Sequence, residues 1–312
     1  MTTELLRVDP DAPDAAVIDR AAAVIRSGGL VAFPTETVYG LGANALDPTA
    51  VARIFAAKGR PATNPVIVHV ADVAEVGNVV ADWPATAAAL AGRFWPGPLT
   101  LVLPRGRAVP DVVTAGGLTV AVRCPAHAVA RALIRAAGVP IAAPSANRST
   151  ELSPTRADHV LKGLNGRIDL VLDGGTCSGG IESTVVDVTE KQVRILRPGL
   201  ITEPMLEAVV GPLGERGPAA GIARSPGQMA KHYSPRTPIV LVAAGAARPA
   251  GERVVVMRDL PADPTGYAAV LYARLHELDG KGFDQIVIEL PPDTAEWAGV
   301  RDRLIRAAAG TS

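Results

Sequence analysis

In GLVAFPTETVYGLGANA, residues 29–45, and KGRPATNPVIVHV, residues 58–70, apolar runs meet polar loops twice within about forty residues. The first run, Leu30 to Phe33, has the length and composition of a short strand and stops at Pro34, because proline cannot donate to a sheet ladder. It opens into a loop carrying Thr35, Glu36, Thr37 and Tyr39, which reads as too polar for a core. Asp47-Pro48 pairs a preferred N-cap with the residue best suited to the first helical position, so a helix starts there. Gly59 suits the position just past a helix C-terminus, so the helix ends near Lys58. A second strand, Val66 to Val70, carries His69. Lys58 and Arg60 therefore sit beside a group of hydroxyls at the ends of strands and a helix, where open α/β sheets collect their ligands.

A cation at a helix C-terminus is favoured by the helix dipole without any ligand, so Lys58 alone is ambiguous. The Gly40-Leu41-Gly42 run imitates a dinucleotide fingerprint only weakly. No helix opens directly after it, and no acidic residue lies between Asp47 and Asp72.

Outward from this stretch, strands and helices alternate. Pro13 to Ser27 has helical apolar spacing and closes on Gly28-Gly29, and further helices are expected near 73–80, 85–94, 126–137, 153–162 and 203–210. Strands are expected at Leu99 to Leu103, Leu118 to Val122, Val139 to Ala143, Ile168 to Leu172, Val185 to Val188 and Val193 to Arg197. Arg123 ends one of them, and an arginine there reaches solvent or holds an anion. Pro144-Ser145-Ala146-Asn147 repeats the switch from apolar strand to polar loop. The glycine-rich run Asp173 to Thr184 can cradle an anion or serve as a plain connection. Residues 211–238 are rich in Gly, Pro, Arg and Ser, as in a linker or an ordered lid, and contain Lys231-His232-Tyr233-Ser234-Pro235. From Ile239 a smaller α/β pattern resumes, with strands at 239–242, 253–257 and 285–289 and helices at 266–278 and 294–309. The domain division is thus 1–210, 211–238 and 239–312.

The chain has 312 residues, 31 basic against 31 acidic, and 48% hydrophobic residues. With no net charge, nothing global draws it to nucleic acid or to an anionic membrane. No signal-peptide pattern opens the sequence and no apolar run is long enough to span a bilayer, so a cytoplasmic location is expected. Cys124 and Cys177 stand apart with no metal-ligand spacing, and they read as buried hydrophobes.

Thr35, Thr37, Lys58, Arg60, Arg123, Ser145, Asn147, Ser183 and Arg197 all fall at strand ends or in the loops leaving them. Several guanidinium and ammonium donors with Ser and Asn hydrogen bonds suit a phosphate-bearing ligand, and there is no P-loop to bind it another way. No nucleophile triad or carboxylate pair stands out, so positioning and electrostatics must carry any chemistry.

PTETVYGLG, KGRP-x-x-NP-x-x-VHV, PSAN and ESTVVD, in that order, resemble the Sua5/YrdC family of threonylcarbamoyl-AMP synthases across about residues 10–205. The tail resembles the longer, Sua5-type form. The resemblance implies an α/β fold: a YrdC-like twisted open sheet with helices around a concave site, plus a small C-terminal Rossmann-like domain. It also implies an enzyme, a nucleotidyltransferase that condenses L-threonine, bicarbonate and ATP, with Mg²⁺, into threonylcarbamoyl-AMP and pyrophosphate for N6-threonylcarbamoyladenosine modification of tRNA. On the same resemblance Lys58, Arg60, Ser145 and Asn147 face the nucleotide phosphates, with Lys58 and Arg60 catalytic. Thr35, Thr37, His69, Arg123, Ala143 and Ser183 line a threonine pocket, with Arg123 on the carboxylate. Asn64, Thr119, Ser153, Arg197 and Tyr233 help hold ATP. The implied partner is a downstream tRNA threonylcarbamoyl transferase machinery, with no direct nucleic-acid binding required. A double-stranded RNA-binding module is disfavoured by the neutral charge and scarce aromatics. A carbamoyltransferase is disfavoured by the absence of the CxxC-bearing segments that accompany such domains.

Overall fold

A computed structural model describes residues 2–215, 233–246, 251 and 253–309. Most of the expected linker, residues 216–232 with Lys231 and His232, lies outside the described residues.

The N-terminal part is one ten-stranded mixed sheet. Its strands are β1 (Glu4–Arg7), β2 (Val31–Phe33), β3 (Gly40–Asn44), β4 (Ile67–His69), β5 (Leu99–Pro104), β6 (Thr119–Arg123), β7 (Ile141–Ala142), β8 (Leu170–Asp173), β9 (Thr184–Asp187) and β10 (Arg194–Arg197). Their order is β1-β8-β2-β3-β7-β4-β6-β5-β9-β10. The helices of this part are α1 (Ala15–Arg26), α2 (Pro48–Lys58), α3 (Ala85–Phe94), the single turn α4 (Asp111–Thr114), α5 (Ala128–Ala137), α6 (Ala157–Leu164) and α7 (Glu203–Val210).

Three local outcomes differ from the sequence pattern. Gly40–Asn44 is a strand antiparallel to β2, with Phe33 opposite Gly40, so the PTETVY loop is a hairpin connection. Glycine is required in that strand: a Cβ at Gly42 would come within 2.7 Å of both Ile141 and Phe33 side chains. Residues 73–78 form a 3₁₀ helix, and β1 completes an edge that the short ELLR run did not signal.

α2 follows its caps as expected. Asp47 accepts from the Thr49 and Ala50 amides at 2.8 and 3.2 Å, Pro48 is its first residue, and Gly59 ends it in the left-handed region at φ 62°.

Strand alternation sorts the middle of the sheet into two faces. Val68, Val120, Val122, Leu101 and Leu103 point into the large core packed against α2 and α3. Ile67, Ala121, Val102 and Val185 turn the other way and form a small separate cluster. Ile67 pairs with Ala121 and His69 with Arg123 across β4 and β6, so His69 and Arg123 continue that second face.

The C-terminal part is a parallel sheet in the order β11-β13-β12, from β11 (Ile239–Val242), β12 (Val254–Val256) and β13 (Gln285–Glu289), with helices α8 (Pro264–Asp279) and α9 (Ala298–Ala308). Its apolar cluster is not self-contained. Tyr267, Ala268, Leu271, Tyr272 and Leu304 share it with Val38, Leu152 and Ile181 from the N-terminal part.

Replacing Asp47 by Ala removes both capping acceptors of α2 and should lower stability by about 1 kcal/mol, while Asn should retain most of it. Urea midpoints of the two variants at constant m-value test this.

Candidate functional site

The second face of the sheet, between β4, β6 and β7, is the floor of a small, partly open hollow. It is lined by Thr35, Thr37, Val38, Gly40, Arg60, Ile67, His69, Arg123, Ala143, Pro144, Ser145, Glu182, Ser183, Arg197 and Tyr233. Thr35, Thr37, His69, Arg123, Ala143 and Ser183 therefore meet in one place, joined by Arg60, Ser145, Arg197 and Tyr233. The free volume is about 40 Å³, room for roughly two or three waters. A larger cleft of about 680 Å³ opens at the carboxyl ends of β11, β12 and β13, but it holds none of these residues.

The polar hairpin proves compatible with burial because its threonines bond within it, Tyr39 donates to the Gly175 carbonyl and Glu36 pairs with Arg123. Thr35 Oγ1 donates to the Val38 carbonyl at 2.6 Å, lies 2.8 Å from Thr37 Oγ1, and accepts from the Thr37 and Val38 amides. Arg123 holds an anion, and that anion is Glu36: Nη2 lies 2.7 Å from Oε1. The contact is an ion pair by distance, although its angles fall outside hydrogen-bonding geometry. His69 is buried, and its Nδ1 has no hydrogen-bond partner among the described residues. Burial, reinforced by the charge of Arg123, lowers its pKa to about 3, so the ring is neutral.

The cations divide into two kinds. Arg60 lines the hollow, anchored by Nε and Nη2 to the carbonyls of Asn64 and Pro65 at 3.3 and 2.9 Å, and burial lowers its pKa to about 10. Lys58 does not line it. Its ammonium donates to the Ser145 and Asn147 carbonyls and reaches Asn147 Oδ1 at 3.4 Å, stapling the PSAN loop from beneath. Burial and the neighbouring Arg60 press its pKa well down, yet acceptors alone surround its head, and they favour the ammonium form. Asn147 Nδ2 donates to the Arg148 and Glu151 carbonyls at 2.9 and 2.7 Å, so this side chain also shapes the loop from behind. Asn64 contributes the carbonyl that fixes Arg60. Ser153 is fully buried and donates to Glu182. Thr119 begins β6, at the opposite end of that strand from Arg123, and lies apart from the hollow.

Two family models match the chain in tandem. The Sua5/YciO/YrdC model, described as telomere recombination, matches residues 23–199. A second, described as the C-terminal domain of threonylcarbamoyl-AMP synthase, matches residues 201–309.

This chain belongs to the Sua5/YrdC family.

It is 41% identical to a threonylcarbamoyl-AMP synthase of Bacillus subtilis, over 99% of this chain and 96% of that one. To a threonylcarbamoyl-AMP synthase of Pyrococcus abyssi it is 50% identical, over 71% of this chain and 66% of that one. The crystal structure of P. abyssi Sua5 complexed with L-threonine superposes with a TM-score of 0.91 at 40% identity, covering 99% of this chain and 98% of that one.

Three residues in or next to the hollow of this Sua5/YrdC chain were not marked as site residues in the sequence: Glu182 lines it, Glu36 pairs with the lining residue Arg123, and Arg303 pairs with Glu182. Glu36 and Glu182 stand inside the quoted PTET and ESTVVD motifs, and their polarity in apolar surroundings was the available signal. Arg303, on α9, reaches Glu182 at 2.6 Å, and nothing in the sequence of α9 marks it. Cys124 and Cys177 are free and buried, and burial raises their thiols to about 11 and 12, in keeping with inert packing residues. No helix among the described residues is long and apolar enough to cross a membrane.

His69, His159 and His276 are held, chiefly by burial, to pKa values of about 3, 3 and 4. They stay neutral in the fold while the unfolded chain protonates near 6.5. Their contribution to stability is therefore complete above that value and is lost as pH falls, by roughly 2 kcal/mol per histidine at about pH 5. Denaturant melts at about pH 7 and 5 should show the drop, and the His69 resonances should not titrate between them. A flat profile contradicts the assignment.

Proposed function

We propose that this chain is an L-threonylcarbamoyladenylate synthase. It takes L-threonine, bicarbonate and ATP to threonylcarbamoyl-AMP and pyrophosphate, the activated intermediate consumed by a tRNA-modifying transferase. The single observation that carries this reading is the convergence of the hydroxyl pair Thr35/Thr37, neutral His69, Arg123 and the guanidinium of Arg60 around one buried hollow.

In this reading the threonine carboxylate takes the place on Arg123 that Glu36 holds in the structure, a trade of one carboxylate for another that leaves the buried guanidinium paired throughout. The threonine hydroxyl meets His69 Nδ1 or the Thr35/Thr37 pair. An analogue lacking that hydroxyl leaves a buried polar atom unsatisfied. The carbamate formed from the amine and bicarbonate is short-lived, so its oxygen must meet the α-phosphorus quickly. Holding both in a dry site makes that meeting unimolecular, an effect of up to roughly 7 to 11 kcal/mol. Arg60, already anchored by two carbonyls, needs no reorganisation to stabilise charge growing on the phosphorus oxygens and on the departing pyrophosphate. Lys58 acts one step back. It sets the height of Ser145, and with it the floor on which the phosphates rest. Tyr233 and Arg197 close the nucleotide side.

Mg²⁺ is proposed to arrive on the triphosphate. No group of three or more His, Cys, Asp or Glu residues among the described residues is placed to hold a metal, and Mg²⁺ commonly relies on substrate phosphates and retained waters. Its contribution would be to neutralise phosphate charge.

The protein supplied with ATP, Mg²⁺ and ¹⁴C-bicarbonate should form labelled adenylate and pyrophosphate with threonine and reject valine by on the order of 10⁴-fold in kcat/KM. Arg60→Ala should lower kcat by about 10²- to 10³-fold, with circular dichroism confirming a folded chain. Equal turnover with valine and threonine, or full activity in Arg60→Ala, refutes this account of the site.

A further inference from the structure

The wall of the hollow formed by Glu182, Ser183 and Arg197 is the open end of the β9–β10 hairpin, and the C-terminal part grips it from outside. Arg303 of α9 is fully buried. Its Nε donates to Glu182 Oε2 at 2.6 Å, its Nη2 to the Glu182 carbonyl at 3.1 Å, and its Nη1 to the Pro198 carbonyl at 2.9 Å and to Asp302 at 2.8 Å. One guanidinium thus ties together the residue before Ser183 and the residue after Arg197. Tyr272 of α8 adds a hydroxyl donor to Glu182 Oε2 at 3.2 Å. Burial favours a neutral Glu182, but Arg303 and Arg197 outweigh it and keep the carboxylate ionised.

The same two loops meet the C-terminal helices backbone to backbone. A Cβ at Gly180 would lie 2.0 Å from the Ala268 carbonyl oxygen, and one at Gly299 would lie 2.8 Å from the Gly199 carbonyl oxygen. On the inner side, Arg197 donates to the Ser183 carbonyl at 3.0 and 3.1 Å and to Ser183 Oγ at 3.2 Å, and Ser183 Oγ lies 2.8 Å from Thr100 Oγ1. The Arg303 guanidinium also stands over the Tyr233 ring, 5.3 Å from its centroid. A displacement of Arg303 is therefore transmitted to Ser183, Arg197 and Tyr233 together.

We infer that Arg303 is a positioning residue for the substrate wall: through Glu182 and Pro198 it sets where Ser183 and Arg197 stand, so the C-terminal part completes the threonine site instead of merely accompanying it. This inference rests on the activity proposed above. Arg303 touches no reacting atom in it, and its effect is expected on threonine KM more than on kcat.

The test uses the full chain and three variants, Arg303→Met, Arg303→Lys and the double variant Glu182→Gln/Arg303→Met, each read by thermal melting and by threonine-titrated adenylate formation. Arg303→Met leaves the Glu182 carboxylate buried and unpaired, and should lose both stability and threonine affinity. The double variant removes both charges and should recover most of the melting temperature while keeping a threonine KM raised by roughly ten- to a hundredfold. Arg303→Lys keeps a charge for Glu182 but lacks the fork that spans four acceptors, so it should melt near the parent temperature with KM still raised. If Arg303→Met does not fold, the other two variants decide. A double variant whose KM returns together with its melting temperature reduces Arg303 to a structural residue and overturns the inference alone. A parent chain that makes no threonine-dependent adenylate overturns the proposed activity, and this inference with it.

Discussion

A cation cannot lie in a protein interior unanswered, and among the described residues five lie buried: Lys58, Arg60, Arg123, Arg197 and Arg303. Taking each out of water carries a penalty of several kcal/mol, which must be met by close acceptors. How each is met determines much of the molecule. Lys58 is met by the PSAN loop carbonyls, which fixes that loop. Arg60 is met by the carbonyls that follow its own helix, and no carboxylate among the described residues forms an ion pair with it. Arg123 and Arg303 are each met by a glutamate, Glu36 from the hairpin and Glu182 from the hairpin mouth on the far side. Glu182 lines the hollow itself and Glu36 pairs with Arg123, which lines it, so neutralising these cations also shapes the hollow.

The sheet makes this possible by leaving part of one face without a covering helix. Where α2 and α3 pack, valines and leucines face inward. On the reverse face, the alternation of β4 and β6 brings Ile67 with His69 and Ala121 with Arg123 to a surface roofed by polar loops. A polar roof over a half-apolar floor leaves room for few waters while keeping donors at hand. Electrostatic catalysis needs that combination.

Much of this was legible in the chain. Asp47-Pro48 and Gly59 placed α2 to the residue, because capping chemistry is local. The residues of the hollow could be grouped because most sit where an apolar strand breaks into hydroxyl or guanidinium chemistry. What could not be read depends on distant partners. Nothing local says that Gly40–Asn44 pairs with β2, since its fit as a strand depends on Phe33 and Ile141 filling the space a side chain would need. Nothing in KGR distinguishes a lysine facing phosphate from one facing carbonyls 87 and 89 residues away. Thr119 begins the strand that Arg123 ends, and only similarity to the family grouped it with the others. Arg303 sits in a helix whose arginines look alike from sequence, and only the fold selects the one that reaches Glu182.

Val38, inside the hairpin that defines the site, packs into the apolar cluster of the C-terminal sheet beside Tyr267 and Leu271. The two halves therefore share side chains as well as a border, and they cannot be inherited as interchangeable modules. A chimaera joining this sheet to the tail of a distant relative would bring a mismatched cluster to Val38, Leu152 and Ile181. Sequence drift on either side is thus bound to drift on the other, and the long form of the family should evolve as a single unit.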